Sequence, residues 1–542
     1  MIQILGENPL LLLFVVAAVG YLVGSIKVKG SSLGVAAVLF VGLAFGGLGT
    51  EMKAPEILFQ LGLVFFVYSI GLSSGPAFFK SFKQNGVRDI SFVLLMLTLS
   101  GLLAVGIHFL FGFDPLTTTG IYAGSTTNTP ALAGVIDQVI HNQNGDASEL
   151  IQNAVVAYSF TYPMGVMASI LSIILMEKWL KVNYSEEKKS LRKEFPFESN
   201  LTSKSVVITN PSIANKQVRD LLNEKDWNVV FGRHFRDGKA TLTNYDTFLE
   251  LNDEVMVVGA EHELETIIPE LGEISDVSIE HNRREYDVRR IFVSNQKLVG
   301  RPLSSLDLDK RFNAVVTRIR RGDTDMLATG RTVLELGDRV RFVARRKDLI
   351  ALSKYFGDSY FESSKANLFS FGLGIALGLL LGMVTFTLPG NISFKLGFAG
   401  GPLIVGLILG SLYRTGPIVW TLPYSTNVTL RQIGLIILLA VIGIRSGPAF
   451  WASLKGGSGM LVFLGGSIIS LLTAIFTLWI GYRLIKIPFS LLIGFVSNQP
   501  AILEFALSRS KNRIPLVGYS LMFPIALITK IIYAQILFLL LS

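Results

Sequence analysis

Two short stretches hold the side chains that could do chemistry in an otherwise apolar chain. The first is Ser125-Thr126-Thr127-Asn128-Thr129-Pro130, followed by Ala131; the second is Ser497-Asn498-Gln499-Pro500, followed by Ala501. Asn-x-Pro-Ala thus occurs twice, 370 residues apart (498 − 128). Hydroxyls, amides and exposed backbone groups are the chemistry of binding a small polar solute. Neither stretch pairs a nucleophile with a base or gathers metal ligands. Each Asn stands two residues before a Pro, which biases the chain to extended geometry just before a helix can restart. Between apolar flanks such backbone is tolerated only where it is buried in protein or lines a wet cavity. Two breaks at matching positions of two halves are the sequence pointer to a transporter's binding site. The plainer alternative is a pair of proline-started helices after surface loops.

A second set of candidates flanks the breaks. Ser73-Ser74-Gly75-Pro76 returns as Arg445-Ser446-Gly447-Pro448, both followed by Ala-Phe. Arg445 stands where the first half has Ser73. An arginine inside an apolar run is costly and suggests a partner for a substrate carboxylate, or else a side chain reaching to the interface near Trp451. Lys530, within Ala526–Leu539, and Glu504 raise the same question and could pair with each other.

The elements that would position these residues are membrane spans. Half of the 542 residues are hydrophobic, 16% are charged and mean hydropathy is +0.51. Several apolar runs approach the ~20 residues needed to cross a bilayer. The +9 net charge lies between apolar runs and in a central insert, so a topological bias explains it without nucleic acid. With no cysteine, disulfides and thiolate chemistry are excluded. Before Pro9 there is no basic region, so the first apolar run reads as a retained span.

In order, the chain divides into a membrane repeat (1–181), a linker (182–198), two small α/β modules (199–280 and 281–362) and a second membrane repeat (363–542). The modules match in register 85 residues apart: Asn210 with Asn295 (295 − 210), Asn228 with Asn313, Leu249-Glu250-Leu251 with Leu334-Glu335-Leu336. The membrane halves match through the Gly-Pro-Ala-Phe and Asn-x-Pro-Ala segments, and through Tyr158 to Pro163 with Tyr519 to Pro524. Each half has six apolar elements. If the broken one is re-entrant, five spans remain, the halves are inverted, and Lys27, Lys80, Lys83, Arg88, Arg483, Lys486, Arg509 and Lys511 fall on the cytoplasmic side with the insert. Both termini, Lys395 and Lys455 then lie outside. The expected fold is therefore a polytopic α-helical membrane protein of two inverted repeats, each of five spans plus a re-entrant or broken element, with a cytosolic insert of two tandem α/β modules.

With these motifs in view, the chain resembles the aspartate:alanine exchanger family over essentially its whole length, and the insert resembles two copies of the C-terminal subdomain of potassium-conductance regulators (TrkA-C, or RCK-C). The resemblance implies a secondary transporter in the cytoplasmic membrane. The expected function is exchange of small amino acids or related carboxylates by alternating access. The substrate-binding residues would be Ser73 to Pro76, Ser125 to Pro130, Arg445 to Pro448 and Ser497 to Pro500. In the insert, Arg233, His234 and Arg236, echoed by Arg318, Arg320 and Arg321, could gather a regulatory nucleotide or other anion alongside Asn210 and Asn295, or could be solvated strand faces. No cofactor, metal or enzymatic activity is called for. A homodimer held through the modules is expected, because related domains commonly dimerise. The competing readings are a ligand-gated channel, against which no Thr-Val-Gly-Tyr-Gly filter is present, and a membrane receptor that does not transport.

Overall fold

The computed structural model describes residues 2–26, 34–49, 51–84, 86–142, 148–184, 186–187, 201–275, 285–322, 324–364, 367–388, 392–498, 500–511 and 514–542. Lys27, Lys29, Gln499, most of the linker and the boundary between the modules lie outside the described residues. Two compact units form: Met1–Phe195, Gly372–Ser411 and Val428–Ser542 make one, Pro196–Phe371 and Leu412–Asn427 the other.

The first unit is helical. Its first half runs α1 (Pro9–Ser25), α2 (Ala37–Gly46), α3 (Glu56–Gln84), α4 (Gly86–Phe111), α5 (Pro115–Ser125), α6 (Thr129–Asn142) and α7 (Ser148–Leu180). The second repeats the order as α8 (Leu368–Met383), α9 (Gly397–Leu412), α10 (Tyr424–Gly456), α11 (Ser458–Arg483), α12 (Phe489–Phe495), α13 (Pro500–Ser510) and α14 (Ile514–Leu541). Five of these helices (α3, α4, α7, α10 and α11) are long and apolar enough to cross a membrane. The apolar run 35–48 yields a helix of 10 residues, about 15 Å, or half of the ~30 Å hydrocarbon layer.

Helix ends fix the topology. Glycines on α5 meet α7 in parallel: a Cβ on Gly120 would lie 2.1 Å from the Ala154 carbonyl oxygen, and one on Gly124 would lie 2.7 Å from that of Tyr158. The start of α5 therefore lies at the N-terminal end of α7, and α6 ends at Asn142, close before α7 begins at Ser148. The second broken element meets the other end of α7. Glu187, just beyond α7, accepts hydrogen bonds from the Phe489 and Ser490 amides (2.8 and 2.9 Å) at the start of α12. Arg509, near the end of α13, pairs with Glu177 at 2.7 Å. The two broken elements are thus hairpins that enter from opposite ends of one helix, which is an inverted arrangement. An 11-residue α5 rises about 16 Å, about half the thickness of a 30 Å layer.

Among the described residues, each module of the insert builds one main sheet, and the two are of one design. The first has strand order β3-β2-β4-β1-β5, with β1 Leu201–Ile208, β2 Val229–Arg236, β3 Lys239–Leu242, β4 Glu254–Ala260 and β5 Gly272–Ile274. The second has order β8-β7-β9-β6, with β6 Tyr286–Phe292, β7 Ala314–Arg321, β8 Thr324–Leu327 and β9 Arg339–Arg345. Each sheet has its own buried core, and a small cluster of Met256, Val258, Tyr286 and Val343 joins them. The segment Leu412–Asn427, which runs from the last residue of α9 into the first turn of α10, folds with this unit rather than with the second membrane repeat. Arg414 there donates to the Lys297 and Val299 carbonyls at 3.0 Å.

Candidate functional site at the meeting of the two hairpins

The first tip is built by capping. Asp114 caps α5 by accepting from the Leu116 and Thr117 amides (3.0 and 2.9 Å), and Pro115 opens the helix without an orphan N–H. At the far end the Asn128 amide returns to the Ala123 carbonyl (2.8 Å), and Thr127 adopts φ +49°. That is a left-handed conformation a β-branched residue rarely takes, of the kind found at functional sites. Asn128 then caps α6: its Oδ1 accepts from the Ala131 amide at 3.1 Å, and Pro130 sits in the first turn. The Asn-x-Pro motif is therefore a helix restart within a buried loop. Ser125 to Thr129 are all buried.

Lys530, 4% exposed on α14, joins the tips. Its Nζ donates to the Thr126 carbonyl of the first hairpin (3.2 Å) and to Asn498 Oδ1 of the second. Asn128 Nδ2 donates to the Leu527 carbonyl one turn earlier on the same helix (3.3 Å), and Ser470 Oγ of α11 donates to the Ser125 carbonyl (2.9 Å). A cavity of about 50 Å³ opens here, lined by Ser125, Thr126, Ser470, Asn498 and Lys530 among others. The α5 carbonyls carry the negative end of that helix's dipole, which suits an ammonium. No carboxylate pairs with Lys530 among the described side chains, and the Glu504 side chain lies outside them. Lysine has three N–H donors, and two are engaged here. A buried cation whose described partners are neutral acceptors is a site where an anion gains much by arriving.

The other expected residues lie elsewhere. Ser73 to Pro76 are inside α3 and Arg445 to Pro448 inside α10, both unbroken helices. Their glycines serve close packing: a Cβ on Gly75 would meet the Leu407 carbonyl oxygen of α9 at 2.2 Å, and one on Gly447 would lie 2.6 Å from the backbone of the Gly46-Gly47 turn. Arg445 is half-buried on α10 and is not among the residues lining the cavity. The backbone of Pro500 opens α13, while Ser497 Oγ turns back to the Ile493 carbonyl (2.5 Å).

In the insert, four of the eight expected anion-gathering residues fasten groups within their own module. Arg236 grips Asp253 through Nε and Nη2 (2.7 and 2.6 Å) and reaches the Phe248 carbonyl (2.8 Å). Arg321 repeats this on Asp338 (2.8 and 2.7 Å) and the Val333 carbonyl (2.8 Å). Burial pushes the Asp253 carboxyl up, but Arg236 and the Glu250 amide outweigh it and hold Asp253 below its ordinary range. Asn210 fastens the Glu270 carbonyl and Asn295 the Tyr355 carbonyl (2.7 and 2.8 Å). Arg233 is wholly buried and donates to the Tyr286 carbonyl at 3.1 Å. Arg318 and Arg320 stay on a polar face, while His234 is buried with its Nδ1 against the Thr241 hydroxyl at 3.0 Å.

A family model described as Predicted Permease Membrane Region matches residues 12–178 and 370–539, both membrane halves. The chain belongs to that aspartate:alanine exchanger family. A TrkA-C domain model matches residues 288–357, the second module. An uncharacterized transporter of Geobacter sulfurreducens is 49% identical over 99% of both chains. Others from Symbiobacterium thermophilum and Corynebacterium diphtheriae are 42% and 39% identical over 98–99% of this chain and 99% of their own length. Among solved structures, the GsuK RCK domain aligns with 30% of this chain and 64% of its own, at 9% identity and a TM-score of 0.16.

This exchanger-family chain is a multi-pass membrane transporter with a regulator-type insert. Its sequence pointed to both tips, and raised Lys530 only as a cation in an apolar run that could pair with Glu504. It did not show that Lys530 meets both tips, because its contacts with Thr126 and Asn498 span 404 and 32 residues. Glu187 was missed altogether. An acidic residue in a polar linker carries no signal of the distant helix it caps.

Proposed function

We propose that the protein is a secondary active exchanger of small amino acids or related carboxylates, working by alternating access, with the solute carboxylate bound by Lys530 between the two hairpin tips. One observation supports this above the rest: a buried ammonium held by one neutral acceptor from each inverted half. A cavity of about 50 Å³ takes a few waters, so admitting a carboxylate solute requires the tips to part. Parting toward either side exposes the same cation to that side, which is the alternating-access geometry. The cytoplasmic membrane is the expected location, with the insert in the cytoplasm and the protein a homodimer.

The test is counterflow in proteoliposomes. Vesicles preloaded with aspartate, alanine, glutamate, succinate or malate are offered the same solute radiolabelled outside, without ATP or an ion gradient. The expected result is accelerated accumulation for at least one carboxylate. Single-channel currents from the purified protein in planar bilayers, or no exchange with any small carboxylate, would overturn the reading.

A further inference from the structure

The second module carries a charged sheet face that the first lacks. Arg318 pairs with Arg341 and Arg341 with Arg290 across β7, β9 and β6; one step along, Arg320 pairs with Arg339. Opposite residues share a sheet face, as do residues two apart on one strand, so all five guanidiniums emerge on one side. The alternating residues Ile291, Ile319 and Val340 fill the core on the other. The five arginines and Asp325 line one pocket. Like charges placed directly opposite destabilise a sheet. Five arginines on one face are not a requirement of this fold.

The first module shows as much. At the 85-residue offset its counterparts are Ser205, Arg233, Phe235, Glu254 and Met256, in the same register (Met256 opposite Ser205, Phe235 opposite Glu254). The same fold is built there with a single arginine, and that one is buried. Arg339 adds an independent sign. Its guanidinium lies over the Phe292 ring at 5.1 Å, and its Nε is buried without a partner among the described residues.

We infer that this face of the second module is a binding site for a soluble oligophosphate, the phosphate chain lying across β6, β9 and β7. Strands are about 4.8 Å apart and same-face residues on one strand about 6.6 Å apart, so the guanidiniums form a grid that meets several anionic groups of one small molecule. The planar fork of arginine suits bidentate phosphate binding. A single carboxylate would use a fraction of the grid.

The experiment is calorimetric titration of the purified full-length protein in detergent with tripolyphosphate and, separately, ATP. Saturable binding at one site per chain is expected, weakening as salt is raised. Arg290→Ala and Arg320→Ala, both at exposed positions, should each weaken it about tenfold or more, the scale of one lost charge-assisted pair. Arg301→Ala, an exposed arginine elsewhere on the module, should leave it unchanged. Tighter binding of ATP than of tripolyphosphate assigns the site to a nucleotide; equal binding assigns it to the phosphate chain alone. The inference fails if neither ligand binds at millimolar concentration. It also fails if the Arg290 and Arg320 variants bind as the parent does, or if only RNA or anionic lipid vesicles are retained.

Discussion

The two membrane halves use the same parts to different ends. Each has a half-helix opening on a proline or just after one, a loop with Asn at its tip, a second half-helix, and a long final helix on which the hairpin packs. In the first half the tip is self-sufficient: Asp114 caps α5 from the adjoining residue and Asn128 caps α6. In the second half the start of α12 is capped from outside, by Glu187, and Asn498 is tied to Lys530. With Tyr158 aligned to Tyr519 and Pro163 to Pro524, Lys530 corresponds to Ser169 (530 − 361). Ser169 also lines the cavity, and its hydroxyl donates to the Gly165 carbonyl at 2.8 Å. In the exchange proposed above, duplication would supply the symmetric frame and a single charge on one half the chemistry.

Removing the charge should be the strongest way to break the asymmetry. Lys530→Met should lower transport of anionic solutes by about 30-fold or more, the ~2–5 kcal/mol lost when one partner of a desolvated charge pair goes. Its melting temperature should be unchanged or higher, because an apolar residue replaces a buried ion. Arg445→Ala should keep most of the activity. Uptake assays alongside thermal melts check both; the reverse ranking would move the site to α10.

Exchanging the two asparagines sharpens the comparison. Asn498→Asp sets a tethered carboxylate against Lys530, which competes with solute, so apparent affinity for anions should fall about 10-fold or more. Asn128→Asp does not touch Lys530. It keeps the α6 cap but loses the bond to the Leu527 carbonyl, so its main effect should be about 1–3 kcal/mol of stability, with a smaller change in affinity. Equal affinity losses in binding assays would show that the halves contribute alike.

The smallest expected effect separates the two caps. Asp114→Ala and Glu187→Ala each remove a helix cap worth about 0.5–2 kcal/mol. The first should appear in thermal melts alone. The second should also change the exchange rate, because it frees the second hairpin from the linker. Identical rates in the two variants would make Glu187 a purely structural cap.

The fold was legible where duplication and periodicity spoke together. Five apolar helices and a broken pair in each half follow from the repeated Asn-x-Pro-Ala, and the modules from their 85-residue register. The site was half legible. Asn128 and Thr126 stand in a stretch whose composition is anomalous for its surroundings. The paired Gly-Pro-Ala-Phe segments were equally anomalous and proved to be helix crossings, because a glycine needed for close approach looks in sequence like one needed for a break. Arg236 and Arg321 misled for a related reason. An arginine that recurs at a fixed offset fits a duplicated fastener as well as a duplicated binding site, and only Asp253 and Asp338 opposite them decide which.

Glu187 joins two matters that the chain otherwise keeps apart. It stands on the segment that runs into the insert, yet its carboxylate makes three bonds to the first two residues of α12. If the proposed ligand of the insert biases the linker, then by reciprocity solute at the hairpin tip must return that bias in equal measure to the affinity for that ligand. At about 1–2 kcal/mol for a helix cap, the exchange factor is roughly 5–30. That is enough to grade a transporter's activity, and too little to lock it in either state.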